Sequence, residues 1–235
     1  MSTLASTIIT DVRRELLEAT GITWSDTELL RLLNRGEIDF VNKTRCLESI
    51  STISLSIGVS SYPLPSDYLG IRLVLHNHPD VNGNNDWRRI YPSNLEKIAQ
   101  EQPNLLDDTT ATQARPVKYF IWNRTLYIKP TPDVTNATII SIWYKSKPIP
   151  LTSTSQNINI DDALSEALNE YILWKALKKV KEDDIAAEHH SQYLAMIGEG
   201  RRWVKKESSD QRFRIDIDSP IPFIGGIPGF NPLRP

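Results

Sequence analysis

One cysteine, Cys46, is all the chain carries, so no internal disulfide can close and no cysteine-based zinc site can form. Walker-type phosphate loops, dinucleotide glycine patterns and nucleophile elbows are all missing, which removes the common nucleotide and acyl-transfer chemistries. Long hydrophobic runs are missing too. The longest, Ile139 to Tyr144, is interrupted by Ser141 and is far too short to span a bilayer. No basic segment followed by an apolar one opens the sequence, so no secretory signal is expected. Neither charge sign is in excess: 27 Lys and Arg meet 29 Asp and Glu, which argues against a dedicated nucleic-acid binder. Glycine is scarce, with 10 residues against 15 prolines. Five prolines, Pro220, Pro222, Pro228, Pro232 and Pro235, crowd the C-terminal end.

What is present is an ordinary globular balance over 235 residues, enough for one large domain or two small ones. Leu4, Ile8, Val12, Leu16 and Ala19 form a helical stripe, which Thr20-Gly21 would stop. Ser25-Asp26-Thr27-Glu28 is a capping box that opens a second helix from Asp26 to about Arg45, with Leu29, Leu33, Gly36 and Phe40 on one line. Ile50 to Ile57, strictly alternating from Ile53 on, then reads as a strand with one buried face, Tyr62 to Asp67 as a turn and Ile71 to Leu75 as another strand. A short helix capped by Ser93 is expected before Pro103. Tyr119–Trp122 and Thr125–Ile128 flank Asn123-Arg124 as a two-residue hairpin, and Thr138 to Tyr144 gives a further strand. Asp161 to Lys181 returns to helix with apolar residues on two sides, expected to be sandwiched within its own domain, the alternative being a face shared with a neighbouring subunit. A last helix starts at Asp183-Asp184 with Ile185, His189, Tyr193, Met196, Gly200 and Trp203 as its stripe.

The expected class is therefore α+β: a helical bundle formed by N- and C-terminal helices, an inserted antiparallel β domain and an extended C-terminal tail. The expected divisions are 1–48 for the first part of the bundle, 49–157 for the β-rich insert, 158–206 for the second part and 207–235 for the tail.

Catalytic chemistry finds little footing. His76-Asn77-His78 lacks a nearby third ligand, so the two imidazoles read as exposed loop residues rather than a metal site. His189 and His190 point about 100° apart on a helix, and His189 reads as a hydrogen-bonded core residue. The acid pairs Asp107-Asp108, Asp161-Asp162 and Asp183-Asp184 are served by helix starts more simply than by a glycosidase cleft. No catalytic, metal or cofactor residue is assigned.

Two segments remain. Arg201, Arg202, Lys205 and Lys206 form a basic cluster that suits a helix C-terminus, a DNA channel or an acidic partner. Beyond it, Arg212 to Asp218 alternates polar and apolar residues as a strand would. The proline-rich stretch that follows forbids a regular element yet stays apolar. Phe213, Ile215, Ile217, Ile221, Phe223, Ile224, Ile227 and Phe230 are the candidate partner-binding residues, with Phe213 to Ile217 adding a strand to a sheet edge.

The order of these pieces resembles the head–tail adaptor, or connector, proteins of tailed bacteriophages. Asp11-Val-Arg-Arg-Glu-Leu-Leu17 followed by Ile22-Thr-Trp-Ser-Asp-Thr-Glu-Leu-Leu30 resembles the family's opening helix pair. Tyr62-Pro-Leu-Pro-Ser-Asp-Tyr-Leu69, the run from Tyr119 to Pro132, Ile142-Trp-Tyr144 and the helix from Ala163 to Lys178 complete the likeness. It covers about residues 5 to 200. The resemblance implies a ring, usually twelve-fold, bound beneath the portal protein, joined to a tail nozzle or tube protein and surrounding the DNA exit channel. It implies a place in the virion neck after assembly in the host cytoplasm, transient non-specific contact with genomic DNA, and no catalysis, cofactor or membrane. Two other readings compete with it: a virion-associated cell-wall glycan hydrolase, and a DNA-binding module using residues 201–206.

Overall fold

The second helix begins where its capping box stands. In the computed structural model, which describes residues 3–18, 23–78, 84–101, 113–136 and 138–207, the Ser25 hydroxyl accepts the Glu28 amide at 3.2 Å. The Glu28 side chain does not return the bond; its carboxylate takes the Lys179 ammonium at 2.6 Å instead. The helices are α1, Ala5–Glu15, and α2, Asp26–Thr44. Leu29, Leu33, Gly36 and Phe40 all turn inward on α2. α1 has no side-chain cap; its first amides are met by the carbonyls of Gln156 and Thr154, at 2.9 and 2.8 Å. It ends before the expected Ala19, because Leu17 takes the left-handed conformation. Thr20-Gly21 lies outside the described residues.

Between the helix pairs run β1, Glu48–Ser54; β2, Ser61–Pro63; β3, Tyr68–Asn77; β4, Trp87–Arg89; β5, Tyr91–Pro92; α3, Leu95–Glu101; β6, Lys118–Trp122; β7, Thr125–Lys129; and β8, Ile139–Ser146. They form two four-stranded sheets, ordered β1-β8-β3-β4 and β2-β7-β6-β5. The inner residues of both, among them Val74, Ile90, Leu126, Ile128, Ile140 and Ile142, make one apolar core.

Several expectations are corrected here. β1 starts at Glu48, just ahead of the expected Ile50, and ends before Ile57, which is exposed, because it follows the length of β8 rather than its own pattern. Part of the expected turn at Tyr62 is the short strand β2. The sheets are not wholly antiparallel: β5 runs parallel to β6. α3 is capped by Asn94, whose carboxamide accepts the Lys97 amide at 2.7 Å, while the Ser93 amide is used by the Tyr119 carbonyl.

The hairpin forms as read, with both Asn123 and Arg124 at positive φ, the signature of a type I′ turn. Arginine tolerates this conformation poorly, but here its guanidinium donates to the carbonyls of Pro65 and Ser66, which helps hold it.

A 3-10 turn, Asp162–Leu164, leads into α4, Glu166–Lys179, and α5, Asp183–Glu207, follows. α4 is the central helix, packed by α1, α2 and α5, which accounts for its apolar residues on two sides. Glu166 at its start and Lys178 and Lys179 at its end are exposed. On α5, Ile185 faces solvent, a correction to the expected stripe; Ala186, Tyr193, Ile197 and Gly200 turn inward. Two glycines let helices approach. A Cβ on Gly36 would stand 2.9 Å from the Tyr171 ring, and one on Gly200 would stand 2.8 Å from that of Phe40.

The segment after β8 is tied to α2 by polar links. Asn34 exchanges two hydrogen bonds with the Leu151 backbone, at 2.9 and 2.7 Å. Buried Glu37 accepts the Asn159 backbone amide at 2.7 Å and its side-chain amide at 2.8 Å. Burial pushes the Glu37 carboxyl above its usual range.

Candidate interaction surfaces

The titratable groups singled out in the sequence are occupied structurally. Asp161 accepts the Ala163 amide at 2.9 Å, and Asp162 accepts both the amide and the hydroxyl of Thr3 at 2.6 Å. Asp183 and Asp184 occupy the first turn of α5, where the helix dipole favours acids. Asp107-Asp108 lies outside the described residues. His189 bonds Glu170 at 2.8 Å across α4 and α5, as a core histidine would.

His76 and His78 are not exposed loop residues. His76 is the penultimate residue of β3 and is fully buried. Its Nε2 lies 3.0 Å from the Asn136 carbonyl, and His78 Nδ1 lies 3.0 Å from the Asn136 side chain. Burial pushes the His76 imidazole below its ordinary pKa. Polar residues around the pair suggested a loop, yet β3 extends through His76 to Asn77, where β4 pairs with its end. Among the described residues, no three His, Cys, Asp or Glu are grouped to hold a metal.

The surfaces are more informative. On the outer side of the first sheet, Ile50 lies opposite Trp143, and Trp143 opposite Leu73, an apolar row across three strands. Ile139 and Trp87 are exposed on strands of the same sheet. Ile50 is 57% exposed and Trp143 40%. Water-facing sides of antiparallel sheets are normally polar, and contiguous exposed apolar area marks a place where another chain sits. Sequence reading missed this row, since alternation says that one face is apolar but not that both are. β1, at the rim of this sheet, has a strand neighbour on one side only among the described residues.

A second feature is an open groove of about 720 Å³ along α2, lined by Leu30, Asn34, Ile38 and Leu151 among others. A third is the basic end of α5. Arg201 and Arg202 are exposed, Arg201 Nε donates to the Lys43 carbonyl at 3.0 Å, and Lys205 and Lys206 fill the last turn. Phe213, Ile215, Ile217, Ile221, Phe223, Ile224, Ile227 and Phe230 lie outside the described residues.

A helical bundle and a β unit whose acids serve as caps and ties, and whose outer sheet presents an apolar row, make up a structural interaction module. The sequence model of the SU10 adaptor protein matches residues 3–215, nearly the whole chain. The chain belongs to that family, a family of phage head–tail adaptors. Its role is thus structural, in the virion neck where portal and tail components meet. The match runs past α5 to include Phe213 and Ile215. No curated protein matches the chain. Among the described residues, no helix is long and apolar enough to cross a membrane.

Proposed function

We propose that the protein assembles as a ring, twelve-fold, beneath the portal, joins the capsid vertex to the tail nozzle or tube, and surrounds the DNA exit channel. The family match over residues 3–215 carries the reading. The apolar row Ile50, Trp143 and Leu73 supports it, since a ring subunit needs surface to bury against a neighbour. Residues 1–48 and 158–206 act as one helical unit, 49–157 as a β unit and 207–235 as an attachment segment; the separate helical and β cores support the first two. The attachment segment docks on the portal or on a neighbouring subunit through its apolar residues, with Phe213 to Ile217 pairing along a sheet edge. The rim strand β1 is of the right kind to receive it. Assembly takes place in the host cytoplasm, before the tail is joined.

Mixing the protein with purified portal and imaging by negative stain should show an added ring layer. Complete absence of association would overturn the proposal. Removing 208–235 should leave a folded body that no longer binds portal. Ile50→Ser with Trp143→Ser should leave the melting curve intact and abolish the ring layer; a normal layer would show that the row is not a subunit contact.

A further inference from the structure

The open groove along α2 has no occupant among the described residues, and its lining says what would fit. Leu30, Ile38 and Leu151 line it. Ile38 is 41% exposed, and Ile149, two residues before Leu151, is 72% exposed. The Asn34 carboxamide, also in the lining, is spent on the Leu151 backbone in both directions. The middle of the groove therefore offers apolar surface rather than a free hydrogen-bonding group. Arg31 and Arg35 line it too, and both are exposed. The Glu28 carboxylate beside Arg31 is 3.7 Å away and takes Lys179 at 2.6 Å. An apolar trough with a cationic rim suits an apolar segment that carries acids at one end.

The chain supplies such a segment itself. Asp216 and Asp218 are followed by Ser219 to Leu233, which holds no charge and contains Ile221, Phe223, Ile224, Ile227 and Phe230. Pro220, Pro222, Pro228 and Pro232 remove backbone amides that a groove poor in acceptors would leave unpaired. Their fixed φ also lowers the entropy lost when the stretch is ordered. The family match ends at residue 215, ahead of this stretch, and so gives it no seat.

Reach and length agree. Arg201 on α5 donates to the Lys43 carbonyl, and the Tyr193 hydroxyl to Asp39, so α5 leaves the body beside the C-terminal end of α2. Helix rise puts Glu207 about 9 Å beyond Arg201 and Ile38 about 8 Å before Lys43, and crossing the width of α2 adds about 10 Å. Ser208 to Asp218, extended, spans up to about 36 Å, enough for that path of roughly 27 Å. The groove measures about 20 Å along the helix from Ile38 to Ser25, and Pro220 to Ile227 in polyproline II covers about 22 Å. The two acids then arrive at the end where Arg35 stands. Tethering favours this occupant over another molecule, since a segment on a short linker meets its own groove at an effective concentration of about 1 mM.

We infer that residues 220–230 of the unassembled subunit lie in the α2 groove of their own chain, with Asp216 and Asp218 facing Arg35 and Arg31. Stretch and groove then hide each other's apolar surface until assembly. One consequence rests on the attachment role proposed above: the portal draws the segment out, so docking of the tail and unmasking of α2 are a single event.

The test uses the full chain without portal. A thiol introduced by Ile38→Cys is alkylated with a maleimide, and the rate is read by mass spectrometry on the peptide carrying residue 38, with Cys46 on a separate peptide. Alkylation should be slower by about tenfold or more than in the same chain with Phe223→Ser, Ile224→Ser and Ile227→Ser, tenfold being a groove filled about nine-tenths of the time. A thiol introduced by Trp87→Cys, on the far sheet edge, should react equally with either tail. Dilution should leave the protection unchanged. A benzophenone side chain placed at position 38 should crosslink to residues 219–230 of the same molecule.

Equal rates at position 38 with either tail, or crosslinks that never reach residues 219–230, would overturn the inference. So would protection that rises with protein concentration, since a second copy would then fill the groove. Failure of the adaptor reading is separate: the protection persists while no ring layer forms on the portal.

Discussion

Gly200 and Gly198 sit two residues apart on α5, and alanine at the two positions should have opposite effects. In an exposed helix interior, Gly→Ala stabilises by about 1 kcal/mol through backbone entropy, and that gain is common to both sites. At Gly198 the new methyl meets nothing nearer than the end of the Arg202 side chain at 4.0 Å. At Gly200 it would stand 2.8 Å from Phe40 Cζ and 3.0 Å from Thr44 Cγ2. Neither neighbour yields easily. Phe40 is fully buried and packs on the Tyr193 ring at 6.5 Å, and the Thr44 hydroxyl is bonded to the Phe40 carbonyl at 2.8 Å. Overpacking a closed site costs about 1–3 kcal/mol. The propensity gain cancels when the variants are compared, so Gly200→Ala should be less stable than Gly198→Ala by about 1–3 kcal/mol. A chain of this length shifts by about 2–4 °C per kcal/mol, which gives a separation of about 2–12 °C in paired thermal melts. Urea titration gives the same comparison at constant temperature. Equal midpoints, or a higher one for Gly200→Ala, would refute the claim that α2 and α5 meet backbone to ring at this glycine.

Replacing Ser25 by alanine removes the side-chain cap of α2 and should cost about 1 kcal/mol, read as a lower urea midpoint with an unchanged slope. His76 gives a pH test. Its folded pKa is depressed below the ordinary 6.5, so as pH falls below 6.5 the unfolded chain takes up a proton that the folded chain resists. The stability this histidine lends is therefore full above 6.5 and declines as pH drops towards the folded value. Midpoints measured across that range should fall less steeply for His76→Gln than for the unsubstituted protein; parallel curves would place the imidazole in water.

How far the sequence could be read depended on the range of the interaction that decides each feature. The start of α2 was legible because a cap is settled within four residues, Ser25 to Glu28. The Asn123-Arg124 turn was legible for the same reason, since a two-residue loop between β-rich runs leaves few geometries. The buried His76, by contrast, depends on Asn136 and Thr138, some sixty residues away in sequence. The end of β1 depends on β8, and the substitution of Ala186 for Ile185 in the inner stripe depends on how α5 is rotated against α4. The cap of α3 fell on Asn94 rather than Ser93, whose amide donates to the Tyr119 carbonyl of β6 and so stays with the sheet.

The surfaces divide along the same line. The adaptor kind was legible through the resemblance of the chain's segments to a known family. The scarcity of cysteine, of long apolar runs and of catalytic motifs, together with the order of helix, strand and helix, was enough by itself to define an α+β chain. Those properties are written in composition and local period, which the chain carries whether or not it is folded. The apolar row of Ile50, Trp143 and Leu73 was decided only by tertiary structure. It assembles residues from three strands, one of them far from the others in sequence. A local pattern reports which side of an element is apolar or charged; only strand pairing and helix packing decide which of those sides end up together.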